Sequence, residues 1–346
     1  MENETTSTDQ PIVLASVPEP EARSPIPVKP QLLVLAVILV ALLGSAVTPR
    51  IIALIGLKDE TRIQTPVSEL ALPGGAGFTS EEVSAAFSDV KLTGDAAYVW
   101  DIQSQQALYA KNADEAVPLA SLTKLMTALV AHEILEPTAK VSIGNEAARQ
   151  ESASGLAVGS TFKRQTLSDL VLMASSNDGA YALAAAAGEL LSDTRGPEAF
   201  VAAMNVRAQE IGLSETRFLN PTGLDISKTE AGAYGSARDI AFLMEHILEN
   251  EPGILALTTD STARLWSEEG DYVDAENTNF YIDEIPGLLG SKTGYTDLAG
   301  GNLTIAYDAG LSRPIVVVVL GSTQFDRFTD VMELVDATNA LFAKAE

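Results

Sequence analysis

Strand-like and helix-like segments are sorted along this chain in an order that few architectures satisfy. "AAYVWD" and "QALYAK" have the aromatic and apolar character of a strand hairpin. Apolar residues at helical spacing then predict a helix over 121–135, two more in "TLSDLVLMASS" and "NDGAYALAAAAGELL", and others near 197–212 and 236–249. Strand character returns late, in "LLGSKTGYT", "GNLTIAYDA" and "RPIVVVVLGS", and a helix over 325–343 follows. Strands at both ends with helices between them predict a mixed α/β fold of the α+β kind. One antiparallel sheet would be built from the two ends of the domain, with a helical cluster packed beside it. No internal repeat interrupts this order.

The domain so described runs over residues 80–346. Before it, residues 1–30 carry six prolines, several acids and few large apolar groups. Such a segment cannot bury enough surface to offset its ordering entropy, so a disordered tail is expected. Leu32 to Val47 is an unbroken run of apolar or small residues. As a helix it covers about 24 Å, and extension toward Leu57 with Arg50 snorkelling reaches the roughly 30 Å of a hydrocarbon core. A transmembrane anchor over 31–57 is therefore expected. Gly44-Ser45-Ala46 is a passable signal-peptide cleavage site, but a polar prefix of this length favours a retained anchor. Basic residues flank both ends and do not orient it. The stretch 58–79, with its "LPGGAG", reads as a tether.

A formal net charge of −25 argues against a nucleic-acid partner, because phosphates are held by clustered Lys and Arg. With no cysteine, disulfides, thiolate metal sites and cysteine nucleophiles are excluded together. Only two histidines occur, and no HExxH, EF-hand loop, P-loop or GxGxxG appears, so neither a metal nor an organic cofactor is expected.

Three short stretches carry chemistry. In "SLTKLM", Ser121 and Lys124 stand three apart at a helix start and so share a face. A lysine among apolar neighbours loses proton affinity by desolvation and can serve as the base for a serine nucleophile. Alone, the pattern is better explained by an N-cap serine and a snorkelling lysine. A histidine base is not at hand: His132 would lie about 16 Å along the same helix, and His246 sits in a segment that reads as core-packing. No G-x-S-x-G elbow is present. In "MASSNDGA", Ser175 and Asn177 join two helices, where polar residues are equally common as caps. In "GSKTGYTDLAGGN", Lys292, Thr293 and Gly294 lie on a strand, and the glycine lets a ligand approach the backbone.

Taken in order, S-x-x-K, S-x-N and K-T-G form the signature shared by class A β-lactamases and penicillin-binding proteins. The surrounding "LNPTGLD", "YGSARDIA", "NTN" and "GSKTGYTDLAGGNL" resemble the low-molecular-mass D-alanyl-D-alanine carboxypeptidases, serine peptidase family S11, over roughly residues 80–345. The resemblance implies a β-lactamase/DD-peptidase-like fold. It implies that Ser121 attacks the penultimate D-Ala carbonyl of a peptidoglycan stem peptide while Lys124 takes its proton. Ser175 and Asn177 would line the opposite wall, with Ser175 relaying a proton to the departing amine. Lys292 would hold down the pKa of Lys124 and, with Thr293, bind the terminal carboxylate. The backbone N–H groups of Ser121 and Tyr295 would form the oxyanion hole, and Arg327 aligns with a family arginine that assists carboxylate binding.

β-Lactams are then expected as covalent inhibitors, and the outer face of the cytoplasmic membrane as the location. The chain departs from the family in having Ser176 where many members have glycine. The second, β-rich C-terminal domain of many members is not expected here, and the apparent anchor is N-terminal. A D,D-endopeptidase would use the same residues. A β-lactamase would need a deacylating E-x-x-x-N that is not seen between the second and third motifs. A non-catalytic cell-wall scaffold would not need all three motifs intact.

Overall fold

The computed structural model describes residues 77–310 and 312–343. The expected tail, the membrane span and most of the tether lie outside the described residues.

Five antiparallel strands make the central sheet: β1 (Ala96–Asp101), β2 (Gln106–Lys111), β3 (Leu288–Thr296), β4 (Gly300–Asp308) and β5 (Pro314–Ser322), in the order β3-β4-β5-β1-β2. The two ends of the domain meet where β1 pairs with β5, from Ala96 opposite Leu320 to Asp101 opposite Ile315. Among the described residues, seven helices longer than one turn accompany it: α1 (Ser80–Ala86), α2 (Thr123–Ile134), α3 (Arg164–Met173), α4 (Asn177–Glu189), α5 (Gly196–Ile211), α6 (Ala237–Asn250) and α7 (Asp326–Ala343).

Side chains alternate along a strand, so successive residues serve two cores. Ala97, Val99, Ile305, Val317 and Val319 pack with Phe328, Val331, Leu334 and Val335 of α7. Ala96, Tyr98, Val316, Val318 and Leu320 join the helical cluster on the other face, where Ile240, Leu243, Met244 and Ile247 form the inner stripe of α6. A sheet covered on both faces reads as a continuous apolar run, which is why "PIVVVVLGS" shows no alternation.

Helix α2 runs through the middle of the helical cluster, and every residue from Thr123 to Ala131 is buried. That explains an apolar helix with no polar face. The helix itself begins at Thr123, not at 121: Ala120–Leu122 form a separate 3-10 turn, and no side chain caps α2. Ser121 therefore stands just outside the helix and is not its N-cap. One element that the strand and helix signals leave unassigned is a hairpin, Thr262–Trp266 with Tyr272–Glu276.

Candidate active site

The turn bearing Ser121 is strained and held from outside. Ala120 adopts φ 48°, a left-handed conformation costly for a residue with a Cβ. Its carbonyl accepts a 2.7 Å hydrogen bond from Thr123 Oγ1. Across from it lies Asn220-Pro221-Thr222-Gly223. Asn220 Oδ1 accepts from the N–H groups of Thr222 and Gly223 at 3.1 and 2.7 Å, folding these residues into a side-chain-mimicked turn. That turn aims two carbonyls at α2. Pro221 O accepts from Thr127 Oγ1 at 2.7 Å, and Thr222 O accepts from Lys124 Nζ at 2.7 Å.

Lys124 Nζ also lies 2.7 Å from Ser121 Oγ, and the lysine has no solvent exposure. Burial lowers its pKa to about 7, with the Asp178 carboxylate pulling the other way. The amine can therefore be neutral near physiological pH while in contact with the serine hydroxyl. His132 instead pairs with Glu251, and His246 meets Arg207 and Asn250.

Ser175 and Asn177 come from the junction of α3 and α4. Ser175 takes φ 59° and its Oγ accepts from Lys292 Nζ at 2.9 Å. The cap of α4 is Ser176, whose hydroxyl accepts from Gly179 N at 3.0 Å and donates to Asp178. Serine in place of glycine thus finds local partners. Asn177 Nδ2 donates to Glu151 O at 2.9 Å, while its buried Oδ1 has no partner among the described residues. Asp178, fully buried, also accepts from Leu156 N at 3.0 Å.

Strand β3 forms the other wall. It is the sheet's edge, and its Gly294 runs against the Ser121 turn. A Cβ there would meet Leu119 O and Ser121 N at 3.1 Å and Ala120 Cβ at 3.2 Å. The glycine makes room for the chain's own nucleophile turn, a close approach that the sequence alone does not reveal. Thr293 Oγ1 donates to Thr278 Oγ1 at 2.6 Å, and Thr278 donates through its N–H to Met173 O at 3.1 Å, tying β3 to the end of α3. Tyr295 is half exposed at the rim.

Arg327, in the first turn of α7, is buried and donates from Nη1 to Gly294 O at 2.7 Å, while its Nε has no partner among the described residues. Burial lowers it to about 10. Lys292 is held well below the usual lysine range by burial, then by the positive charges of Lys124 and Arg327. Burial is the leading cause for both lysines, and the mutual repulsion between their charges works in the same direction. Lys292 and Arg327, buried and with no carboxylate in ion-pairing reach among the described residues, make a site suited to an anion.

Hydrogen bonds and electrostatic coupling bring together Ser121, Lys124, Ser175, Lys292, Thr293, Gly294 and Arg327, whereas the side chain of Asn177 bonds to the carbonyls of Glu151 and Ser152. Two contributors were not assigned a part from sequence. Thr222 acts through a backbone carbonyl, for which the only signal is the N-P-T-G turn chemistry. Asp178 reads as an ordinary first-turn acid, favourable at any helix N-terminus.

A family model described as D-alanyl-D-alanine carboxypeptidase, peptidase S11, matches residues 81–324. The chain is 34% identical over 238 residues to D-alanyl-D-alanine carboxypeptidase DacF of Bacillus subtilis, covering 67% of this chain and 58% of that protein, less than two thirds of its length. It is 29% identical over 291 residues to a D-alanyl-D-alanine endopeptidase of Pseudomonas aeruginosa, covering 82% and 87%. Among solved structures, penicillin-binding protein D2 of Listeria monocytogenes in its ampicillin-bound form superposes with a TM-score of 0.61 at 28% identity, over 72% of this chain and 98% of that one.

Proposed function

The chain belongs to the D-alanyl-D-alanine carboxypeptidase family, peptidase S11, and we propose that it removes the terminal D-Ala from peptidoglycan stem peptides through an ester on Ser121. The observation that carries this reading is the 2.7 Å contact between Ser121 Oγ and the amine of wholly buried Lys124. Neutral Lys124 takes the hydroxyl proton as Oγ attacks the penultimate D-Ala carbonyl carbon. The resulting oxyanion is received by the backbone N–H groups of Ser121 and Tyr295. As the intermediate collapses, the C–N bond breaks and the departing amine takes a proton from the Lys124 ammonium, with Ser175 as relay. Water then attacks the ester carbonyl as Lys124 accepts its proton, and the bond to Ser121 Oγ breaks with that proton returning to the serine.

The substrate's terminal carboxylate supplies the counter-charge that Lys292 and Arg327 lack, with Thr293 donating beside them. Asn177 Oδ1 is an acceptor for a substrate amide N–H. Inhibition by β-lactams follows the same attack, the acyl group being retained. Labelling the protein with a fluorescent penicillin tests this chemistry: the label is expected on wild type and absent from Ser121→Ala.

A D,D-endopeptidase activity on cross-linked peptides is the second reading, favoured by the long match to the Pseudomonas endopeptidase. The same residues would act, and analysis of products from cross-linked muropeptides separates the two. We also place the catalytic domain outside the cytoplasmic membrane, tethered by the apolar run Leu32–Val47. The support is the substrate's chemistry and the length of that run. Digestion of the domain by protease added to cells with permeable walls and intact membranes is expected; protection would overturn this location.

A further inference from the structure

The hairpin Thr262–Trp266/Tyr272–Glu276 is not used by the chemistry above, yet it grows directly out of the cleft. Its second strand leads through Asn277 into Thr278, which touches Thr293 of the K-T-G strand. Its inner face, Leu265 and Ala275 with Ala263 and Val273, packs into the helical core. Its outer face carries three cross-strand pairs: Thr262 with Glu276, Arg264 with Asp274, and Trp266 with Tyr272. Trp266 is 54% and Tyr272 50% exposed. A solvent-facing tryptophan beside a tyrosine departs from the usual burial of such large apolar rings.

The outer face is also held still. Arg264 forks onto Asp274 at 2.7 and 3.0 Å and stacks over the Tyr272 ring at 4.0 Å. The Trp266 and Tyr272 rings lie 5.2 Å apart, tilted by 58°. The hairpin tip is pinned by Glu268 N to Thr161 O at 2.8 Å and by Glu269 to Thr161 N at 3.0 Å. Its base is pinned by Asn277 Nδ2 to the carbonyls of Thr258 and Asp260. A rigid ring face bordered by fixed donors and acceptors suits a sugar, whose C–H face stacks on an aromatic ring while its hydroxyl and acetamido groups hydrogen-bond at the edge.

We propose that this hairpin is a secondary binding platform for the N-acetylated, β-1,4-linked hexosamine strand of peptidoglycan, with Trp266 as its stacking surface. The proposal rests on reading the protein as a stem-peptide hydrolase. From Thr278 to Tyr272 the chain, a strand as far as Glu276, spans at most about 20 Å. The four stem residues between the scissile carbonyl and the sugar span about 14 Å extended, and the sugar adds its own width. A stem peptide seated in the cleft and running along the hairpin therefore brings its glycan to the aromatic pair. Stabilisation of the hairpin alone would explain a cross-strand aromatic pair, so the test must separate binding from folding.

The chain contains two tryptophans, and Trp100 is buried. Titrating the full-length Ser121→Ala protein with an N-acetylglucosamine hexamer, which carries no peptide, should therefore shift the emission of Trp266; no shift at millimolar hexamer overturns the proposal. In the active protein, Trp266→Ala should lower kcat/KM at least fivefold on a glycan-linked pentapeptide and leave a free acylated pentapeptide within twofold. Trp266→Tyr should restore most of the loss. Equal losses on both substrates, or no loss on either, would contradict it. Should wild type cleave neither peptide, the proposed function fails, and the hexamer titration still decides the platform.

Discussion

Gly223 is pressed against Ala120: a Cβ on Gly223 would stand 1.9 Å from the Ala120 carbonyl oxygen. Gly223 also has φ 78°, where a side chain is strained whatever the space. The N-P-T-G turn is thus the clamp that keeps the residue before the nucleophile in its left-handed conformation. Gly223→Ala is expected to cost on the order of 2 kcal/mol or more in stability. Because it displaces both Ser121 and the Thr222 carbonyl that holds Lys124, penicillin acylation should fall at least a hundredfold. Denaturant melts and stopped-flow acylation measure the two effects separately.

The lysine base sets the pH dependence. Lys124, lowered to about 7, is increasingly protonated below that value, so the acylation rate should drop about tenfold per pH unit on the acid side. Stability has the same sign. Between about 7 and the ordinary lysine value the unfolded chain binds the proton that the folded protein does not, so this group's contribution to stability rises with pH. Lys124→Met should abolish acylation while flattening part of the rise of Tm between pH 6 and 9. An unchanged Tm profile would contradict the burial of a neutral amine.

Asp178 opposes the desolvation of Lys124. Asp178→Asn should therefore move the acid limb of the acylation profile to lower pH, not higher. The variant should also lose about 1–3 kcal/mol, since the carboxylate accepts from Leu156 N, Gly179 N and Ser176. The pH–rate profile of penicillin acylation distinguishes this electrostatic part from a merely structural one.

Arg327, whose Nε has no partner among the described residues, lies in the same buried cluster as Lys292. Arg327→Ala should raise KM for peptides ending in a free D-Ala carboxylate by tenfold or more. The same substitution should change turnover of a C-terminally amidated peptide little. Steady-state kinetics on the matched pair of peptides checks this.

Much of this arrangement is readable in the sequence because the chemistry resides in side chains at short spacing. S-x-x-K, S-x-N and K-T-G each name their residues, and long strands at the domain's two ends leave few ways to close the central sheet. What escapes is carried by backbone. The start of α2 at Thr123 is masked because one 3-10 turn and the first turn of an α-helix share a local pattern. The part played by Thr222 lies in a carbonyl that every residue type possesses. The tight fit of Gly294 depends on a turn far away in sequence. The outer hairpin escapes for another reason: its inner face is made of Ala263, Leu265, Val273 and Ala275, too slight a set to mark a strand.

Release of D-Ala from an acylated peptide ending in D-Ala-D-Ala is the most direct measurement of the central claim. Wild type should release one D-Ala per peptide, with an acid limb near pH 7, and folded Ser121→Ala should release none. Release that persists in Ser121→Ala, or none from folded wild type, would contradict it.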